Sequence, residues 1–139
     1  MEITANAIQT VGANANVLFT DTVVNGNCAI IHRDGSGLIT LRGLTDQGRA
    51  RFRVSFGGNV AIPTGGTVGP INVAIAINGE PVATTTMIST PAAVEEYNNV
   101  FSAIFLDVPR GCCQQVSVVN IGEDDIEVQN ANLIVERVA

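Results

Sequence analysis

The sequence contains no lysine and no tryptophan, and it has a single histidine among its 139 residues. All seven basic residues are arginines, which excludes both a P-loop lysine and a Schiff-base lysine. His32 is the single histidine, so no second imidazole could join it in a zinc site. We expect His32 to pack at a strand end. These absences argue against several classes of catalytic and metal site before any motif is considered.

Positive charge is also scarce. Thirteen acidic residues and seven arginines give a formal net charge of −6. An acidic chain with scattered arginines lacks the basic patch that binds nucleic acid or an anionic membrane. We therefore expect neither a nucleic acid nor a membrane among its partners.

The first sixteen residues have no basic start and no continuous apolar run, so we predict neither a signal peptide nor a membrane span there. They are small and polar, and we interpret residues 1–16 as an N-terminal arm that lies on another subunit or protein. Its candidate anchors are Ile3, Ile8 and Val11. Residues 17–139 then form one domain.

The three cysteines, Cys28, Cys112 and Cys113, have neither the spacing of a zinc site nor that of a redox motif. Buried thiols and an intersubunit disulfide are both compatible with the sequence. The pattern does not decide between them.

The chain as a whole has the composition of a β protein, with 14 glycines and many valines, isoleucines and threonines. Alternating runs separated by turn signals predict strands at 17–22, 27–33, 37–42, 49–60, 67–78, 82–89, 100–108, 113–120, 126–129 and 131–138. We expect at most a helical turn or two, in the segment that Thr90 and Pro91 begin. The predicted fold is an all-β antiparallel sandwich, a jelly roll of about ten strands.

The predicted strand 100–108 is apolar on both sides. One side carries Phe101, Ala103 and Phe105, and the other carries Val100, Ile104, Leu106 and Val108. Each sheet of a monomeric sandwich has only one face to bury, so a second covering surface is required. We predict that another subunit supplies it, although strand parity alone does not say which side lies outermost.

A second strand has an unusual face. Asn72, Ala74 and Ala76 stand opposite a row of isoleucines and a valine, and their small side chains would permit close approach of a partner. We include these three residues in the predicted subunit interface. A cover formed by loops of the same chain is the alternative.

Two charged groups are candidate sites. Glu123, Asp124, Asp125 and Glu127 could hold a hard cation such as Ca²⁺, but a solvated turn is the simpler interpretation, and we expect no cofactor. Arg49, Arg51 and Arg53 share one side of a strand, where they either pair with carboxylates of a neighbour or face water.

The glycine-rich stretches are not catalytic motifs. "DGSG" at 34–37 is not a nucleophile elbow, and "GGTVG" at 65–69 is not a dinucleotide fingerprint, so both are read as turns. No nucleophile, base and orienting group can be assembled from these residues, and we predict that the chain is not an enzyme.

The order of the segments "SGLITLRG", "GRARFRVSFGGNVA", "VGPINVAIAINGEPVATTTM" and "NANLIVERV" resembles the jelly rolls of the tumour-necrosis-factor-like and complement-globular-head families. The likeness is nearest to the bacterial branch at the tips of collagen-like spore-surface and phage fibre proteins, and it covers residues 17–139. It implies a ten-stranded jelly roll, a homotrimer with aromatic and aliphatic residues along its three-fold axis, and a binding or structural role.

The sequence has no Gly-X-Y tract, unlike the collagen-like members. We therefore favour a structural protein at the virion surface, a phage head decoration or fibre subunit whose N-terminal arm contacts a capsid or fibre protein. The alternative is an adhesin head on a bacterial cell or spore surface that recognises a glycan or a host protein.

Overall fold

The computed structural model describes residues 1–111 and 113–139, which form twelve strands and one short 3-10 turn, Ala83–Thr85. The strands are β1 (Glu2–Ala5), β2 (Gln9–Val11), β3 (Asp21–Val24), β4 (Ile30–His32), β5 (Ile39–Arg42), β6 (Arg49–Ala61), β7 (Ile71–Ile77), β8 (Glu80–Pro81), β9 (Met87–Ser89), β10 (Asn98–Pro109), β11 (Cys113–Asn120) and β12 (Ile126–Arg137). Within the described ranges, no helix is long and apolar enough to cross a membrane.

The strands form two antiparallel sheets that pack face to face. The first sheet has the order β10, β6, β12, β1, β3, and β2 also pairs with β12. The second sheet has the order β4, β5, β11, β7, β8, and β9 also pairs with β7. The all-β antiparallel jelly roll predicted from the sequence is confirmed, with the additional strands contributed mainly by the N-terminal segment.

The core lies between the two sheets and follows the two-residue period of the strands. On β6, Phe52, Val54 and Phe56 face inward and are fully buried. The ring of Phe19 meets that of Phe56 edge to face, with their centroids 6.3 Å apart. One continuous apolar cluster therefore holds the sheets together.

The C-terminal strand β12 is longer than the sequence pattern suggests. The pattern predicts two strands, 126–129 and 131–138, whereas the structure has one strand with a β-bulge between Gln129 and Asn132. Asn130 lies in the bulge with a left-handed φ of 54°, a conformation that asparagine tolerates better than most residues. The bulge interrupts the alternation, and for this reason the strand reads as two.

The structure corrects the interpretation of residues 1–16 as a separate arm. Strand β1 lies inside the first sheet, paired on one side with β12 and on the other with β3. The amino group of Met1 donates a hydrogen bond to the carbonyl of Val135 at 2.7 Å, and both Ile3 and Val11 are buried in the core. The apolar area of this segment is small, but two flanking strands satisfy its backbone, so it is ordered within its own subunit.

A buried side chain, Asn120 at the end of β11, ties the N-terminal segment to the turn that precedes β12. Its amide nitrogen donates to the carbonyl oxygens of Val11 at 3.1 Å and Asp124 at 2.8 Å, and its oxygen accepts from the backbone N–H of Gly122 at 3.0 Å. These hydrogen bonds satisfy backbone groups at a point where the three segments are no longer paired as strands.

Replacing Ile3 with alanine should lower the free energy of unfolding by about 2–5 kcal/mol, because a fully buried side chain is removed from the core. Ile8 is the matched control, since it is 51% exposed and its truncation should change stability little. Urea unfolding followed by circular dichroism measures both variants. Equal effects of the two substitutions would contradict the placement of β1 inside the sheet.

Replacing Asn120 with alanine should also destabilise the fold, by about 2–4 kcal/mol, because buried carbonyl groups lose their donor. Asn25 is exposed between β3 and β4 and serves as the control for an asparagine-to-alanine change. Thermal melts of both variants test this, and a melting temperature of the Asn120 variant equal to that of the control would show that the network is dispensable.

Candidate interaction surface

The outer face of the first sheet carries a line of aromatic side chains along its edge strand, β10. Phe101 and Phe105 are 62% and 67% exposed, whereas Val100 and Val108 on the opposite side of the strand are buried in the core. The structure thus settles the parity that the sequence left open. These large apolar side chains are exposed to solvent on a regular strand, and no loop among the described residues covers them.

The floor beside these rings is built from small residues. Phe101 is paired with Gly57 and Ala103 with Ser55 on β6, and Ser55 is in turn paired with Ile134 on β12. A glycine and a serine at the centre of three strands leave the middle of the face flat. A partner can therefore approach the sheet closely here.

One end of the outer face is held by ion pairs within the subunit. The Arg51 guanidinium donates two hydrogen bonds to Asp107, at 2.8 and 3.2 Å, and Arg49 lies 3.1 Å from the same carboxylate. Arg53 pairs with Glu136 at 3.5 Å. The arginines thus have carboxylate partners on their own sheet, and their side chains, 60%, 40% and 47% exposed, also face water, which was the second of the two alternatives.

These contacts fix the charge state of Asp107. The hydrogen bond from Arg51 lowers the pKa of the Asp107 carboxyl, and the same bond raises the pKa of Arg51. Both groups are therefore charged across the neutral range, and this end of the face does not titrate there.

The other end of the outer face carries a carboxyl cluster, by which we mean Glu95, Tyr97 and Glu127. Glu127 on β12 is paired with Ala61 on β6, and Tyr97 immediately precedes β10 on the other side of β6. The hydroxyl oxygen of Tyr97 is buried and has no hydrogen-bond partner among the residues that the structure describes. Burial, followed by the negative charge of Glu127 and Glu95, raises the pKa of Tyr97.

The predicted interface residues Asn72, Ala74 and Ala76 lie on β7 in the second sheet, not beside Phe101, Ala103 and Phe105. Ala74 and Ala76 are already buried within the subunit, where they are paired with Val119 and Ser117 of β11. The two sets belong to different sheets, so one flat interface cannot contain both. The period of a strand gives the side of a residue but not the sheet to which the strand belongs.

The acidic residues predicted as a weak cation site are separated by the fold. Glu123, Asp124 and Asp125 are exposed in the turn between β11 and β12, whereas Glu127 lies on the sheet in the carboxyl cluster. Across residues 1–111 and 113–139, no group of three or more His, Cys, Asp or Glu side chains is placed to hold a metal ion. The turn borders an open groove of about 520 Å³ with Thr10, Thr64 and Thr67.

The remaining candidates lie apart from this surface. Cys28 and Cys113 are exposed and free, which excludes a buried-thiol interpretation for these two, and Cys112 lies outside the described residues. The side chain of His32 is buried at a strand end, as predicted, with Nε2 2.9 Å from the carbonyl oxygen of Ser36. Of the three predicted arm anchors, Ile8 alone is exposed.

Glu95, Tyr97 and Ile134 are parts of this surface that were not predicted from the sequence. Tyr97 lies on the same side as Phe101 if the two-residue alternation of β10 is continued toward the N-terminus. The sequence therefore contained an indication that Tyr97 belongs to this surface. Glu95 precedes the strand and reaches the cluster through a turn, and no periodic pattern indicates such a position.

No protein-family model matches the chain, and no curated protein sequence matches it. Among solved structures, the chain is similar to the globular domain of the zebrafish complement 1qA protein, at 12% identity over 96% of this chain and 93% of that one, with a TM-score of 0.63. It is similar to Eiger TNF from S. frugiperda at 12% identity over 100% and 92% of the two chains, with a TM-score of 0.69. Murine APRIL matches at 8% identity over 91% and 95%, with a TM-score of 0.53. The chain therefore has the jelly-roll fold of the complement C1q globular domain and of TNF-like proteins, as its strand pattern predicted.

Proposed function

We propose that this chain is a non-enzymatic structural or binding module that assembles as a homotrimer through the outer face of its first sheet. The observation that carries the proposal is the exposure of Phe101 and Phe105 on a regular strand beside a floor of small residues. Soluble proteins rarely leave such apolar surface in water unless it mediates an interaction. Covering it removes two aromatic rings and Ile134 from solvent.

The position of the rings supports a cyclic assembly. β10 is an edge strand of the first sheet, so copies related by rotation can bring their β10 edges together at one axis. A contact between the edge of one copy and the face of the next is heterologous, and such contacts form a ring when the rotation between copies closes. The resemblance drawn from the sequence favours a ring of three.

A non-catalytic role is supported by the state of the polar groups. The lone histidine is buried with one ring nitrogen bonded to a backbone carbonyl, and the arginines of the outer face are paired with carboxylates of their own subunit. The arginine–carboxylate pairs stabilise the outer face. Neither the histidine nor these arginines are placed as a catalytic base beside a nucleophile.

For the location, we propose the virion surface, as a phage head decoration or fibre subunit. The likeness of the strand pattern to phage fibre tips supports this placement. Since Ile3 and Val11 are buried in the subunit's own core, the contact with a capsid or fibre protein would be made by other surfaces. Mass spectrometry of purified virions tests the placement, and recovery of the chain only in cell-envelope or spore-coat fractions would contradict it.

The second candidate is an adhesin head, and the open groove at the end of the sandwich favours it. Hydroxyl and carboxylate groups of Thr10, Thr64, Thr67, Asp124 and Asp125 line this groove. Such groups can bind the hydroxyls of a sugar. Titration with simple sugars, followed by NMR shifts of residues 63–67, would detect binding at this position.

The wild-type chain should sediment at three times the chain mass at micromolar concentration, and Phe105→Glu should shift it to monomer. The substitution would place an unpaired charge in the covered face. Ile88→Glu is the matched control, because Ile88 is 66% exposed on the second sheet and its replacement should leave the trimer intact. A wild-type monomer, or equal dissociation of both variants, would contradict the assembly through the first sheet.

A further inference from the structure

The carboxyl cluster lies on the same outer face as the aromatic line. Tyr97, Phe101 and Phe105 are spaced four residues apart along one side of the chain, which corresponds to about 13 Å between neighbours in an extended strand. On the two sides of β6, Glu127 is paired with Ala61, and Asn98, the residue after Tyr97, is paired with Val60. A partner that covers the aromatic line therefore approaches the cluster as well.

The backbone holds Glu95 in place against Glu127. Glu95 has a left-handed φ of 59°, and its N–H donates to the carbonyl of Ile62 at 2.8 Å. Its carboxylate accepts hydrogen bonds from the backbone N–H and the hydroxyl of Thr64, both at 3.0 Å. A left-handed backbone is costly for a residue other than glycine or asparagine. The bond to Ile62 holds Glu95 at the end of β6, next to Ala61, which is paired with Glu127.

The two carboxyl groups interact with each other. Hydrogen bonding to Glu95 raises the pKa of Glu127, and hydrogen bonding to Glu127 and to Thr64 lowers the pKa of Glu95. The two groups therefore titrate as a coupled pair.

The groups next to Glu127 supply no positive charge that would offset its ionised form. Glu127 is flanked by Ala61 of β6 and Thr10 of β2, which do not titrate, and by Glu95 and Tyr97 from the segment before β10. The turn of Glu123, Asp124 and Asp125 at the same end adds further negative charge. Among the described residues, no ion pair links an arginine to Glu95 or Glu127.

We propose that the carboxyl cluster makes self-association of the outer face proton-linked, so that the assembly is tight when Glu127 is protonated and weaker when both carboxyls are ionised. This inference rests on the proposed homotrimer. It adds to that proposal a chemical control of the interface, located at the opposite end from the Arg51–Asp107 ion pair.

The sign follows from desolvation. A partner that covers the cluster removes water from two carboxylates, which disfavours their ionised form and raises the pKa of Glu127 further. A group whose pKa rises on assembly contributes affinity that is fully present below its pKa in the free subunit. That affinity is lost as the pH rises through its pKa in the assembly. A rise of one unit corresponds to about a tenfold change in the association constant for each such group.

Sedimentation equilibrium of the full chain at about pH 5 and about pH 8 tests the proposal. We expect a dissociation constant at least about tenfold larger at the higher pH. Glu127→Gln keeps a donor toward Glu95 without a charge, so it should remove the pH dependence and retain the tighter dissociation constant at both pH values. Glu96→Gln is the control, since Glu96 is an exposed neighbour in sequence that bonds the N–H of Ala92, and it should keep the wild-type dependence.

The outcomes separate this inference from the assembly on which it rests. A chain that is monomeric at both pH values would overturn the homotrimer and the inference together. A trimer whose dissociation constant is unchanged between the two pH values, or whose pH dependence survives Glu127→Gln, would overturn the proton linkage alone.

Discussion

The two-residue period of β6 and its neighbours is the constraint on which the rest of the molecule depends. Each strand of the first sheet sends alternate side chains to the core and to the outer face, and the antiparallel register aligns them into rows. The inward row gives Phe52, Val54 and Phe56, which fill the core. The same register places Phe101 over Gly57 and leaves it in solvent, so the composition of the outer face follows from the packing of the core.

Along its length, the outer face changes from an ion pair to apolar surface to a pair of carboxyl groups. The hydrogen bond from Arg51 lowers the pKa of Asp107 at one end, and the interaction with Glu95 raises the pKa of Glu127 at the other. An interface made of such zones would be oriented, because each zone of one copy must meet a zone of compatible charge on the next. In a cyclic ring, every copy has the same zone at the same height along the axis, so the orientation of the interface is the same between all neighbouring copies.

The incorporation of β1 into the first sheet has a consequence for attachment. A segment that is paired on both sides cannot also serve as a free tether, since leaving the sheet would expose Ile3 and the backbone groups of β12. Any contact with a larger particle must then use surfaces outside this strand. The exposed edge of β3, the loops at the ends of the sandwich and Ile8 are among the described parts of the chain that are free to make it.

The sequence by itself determined the fold class, most strand positions and the character of β10, because alternation and turn residues are local signals. It also gave the apolar, two-sided nature of residues 100–108, although not which side is exposed. The tertiary structure decided that residues 2–5 are an interior strand, that Asn72, Ala74 and Ala76 lie away from the aromatic line, and that Arg51 pairs with Asp107 within its own subunit. Each of these depends on which strands become neighbours, and pairing between residues far apart in sequence leaves no trace in a local period. The meeting of Glu95 with Glu127 has the same origin, because a turn and a strand from distant parts of the chain converge at one end of β6.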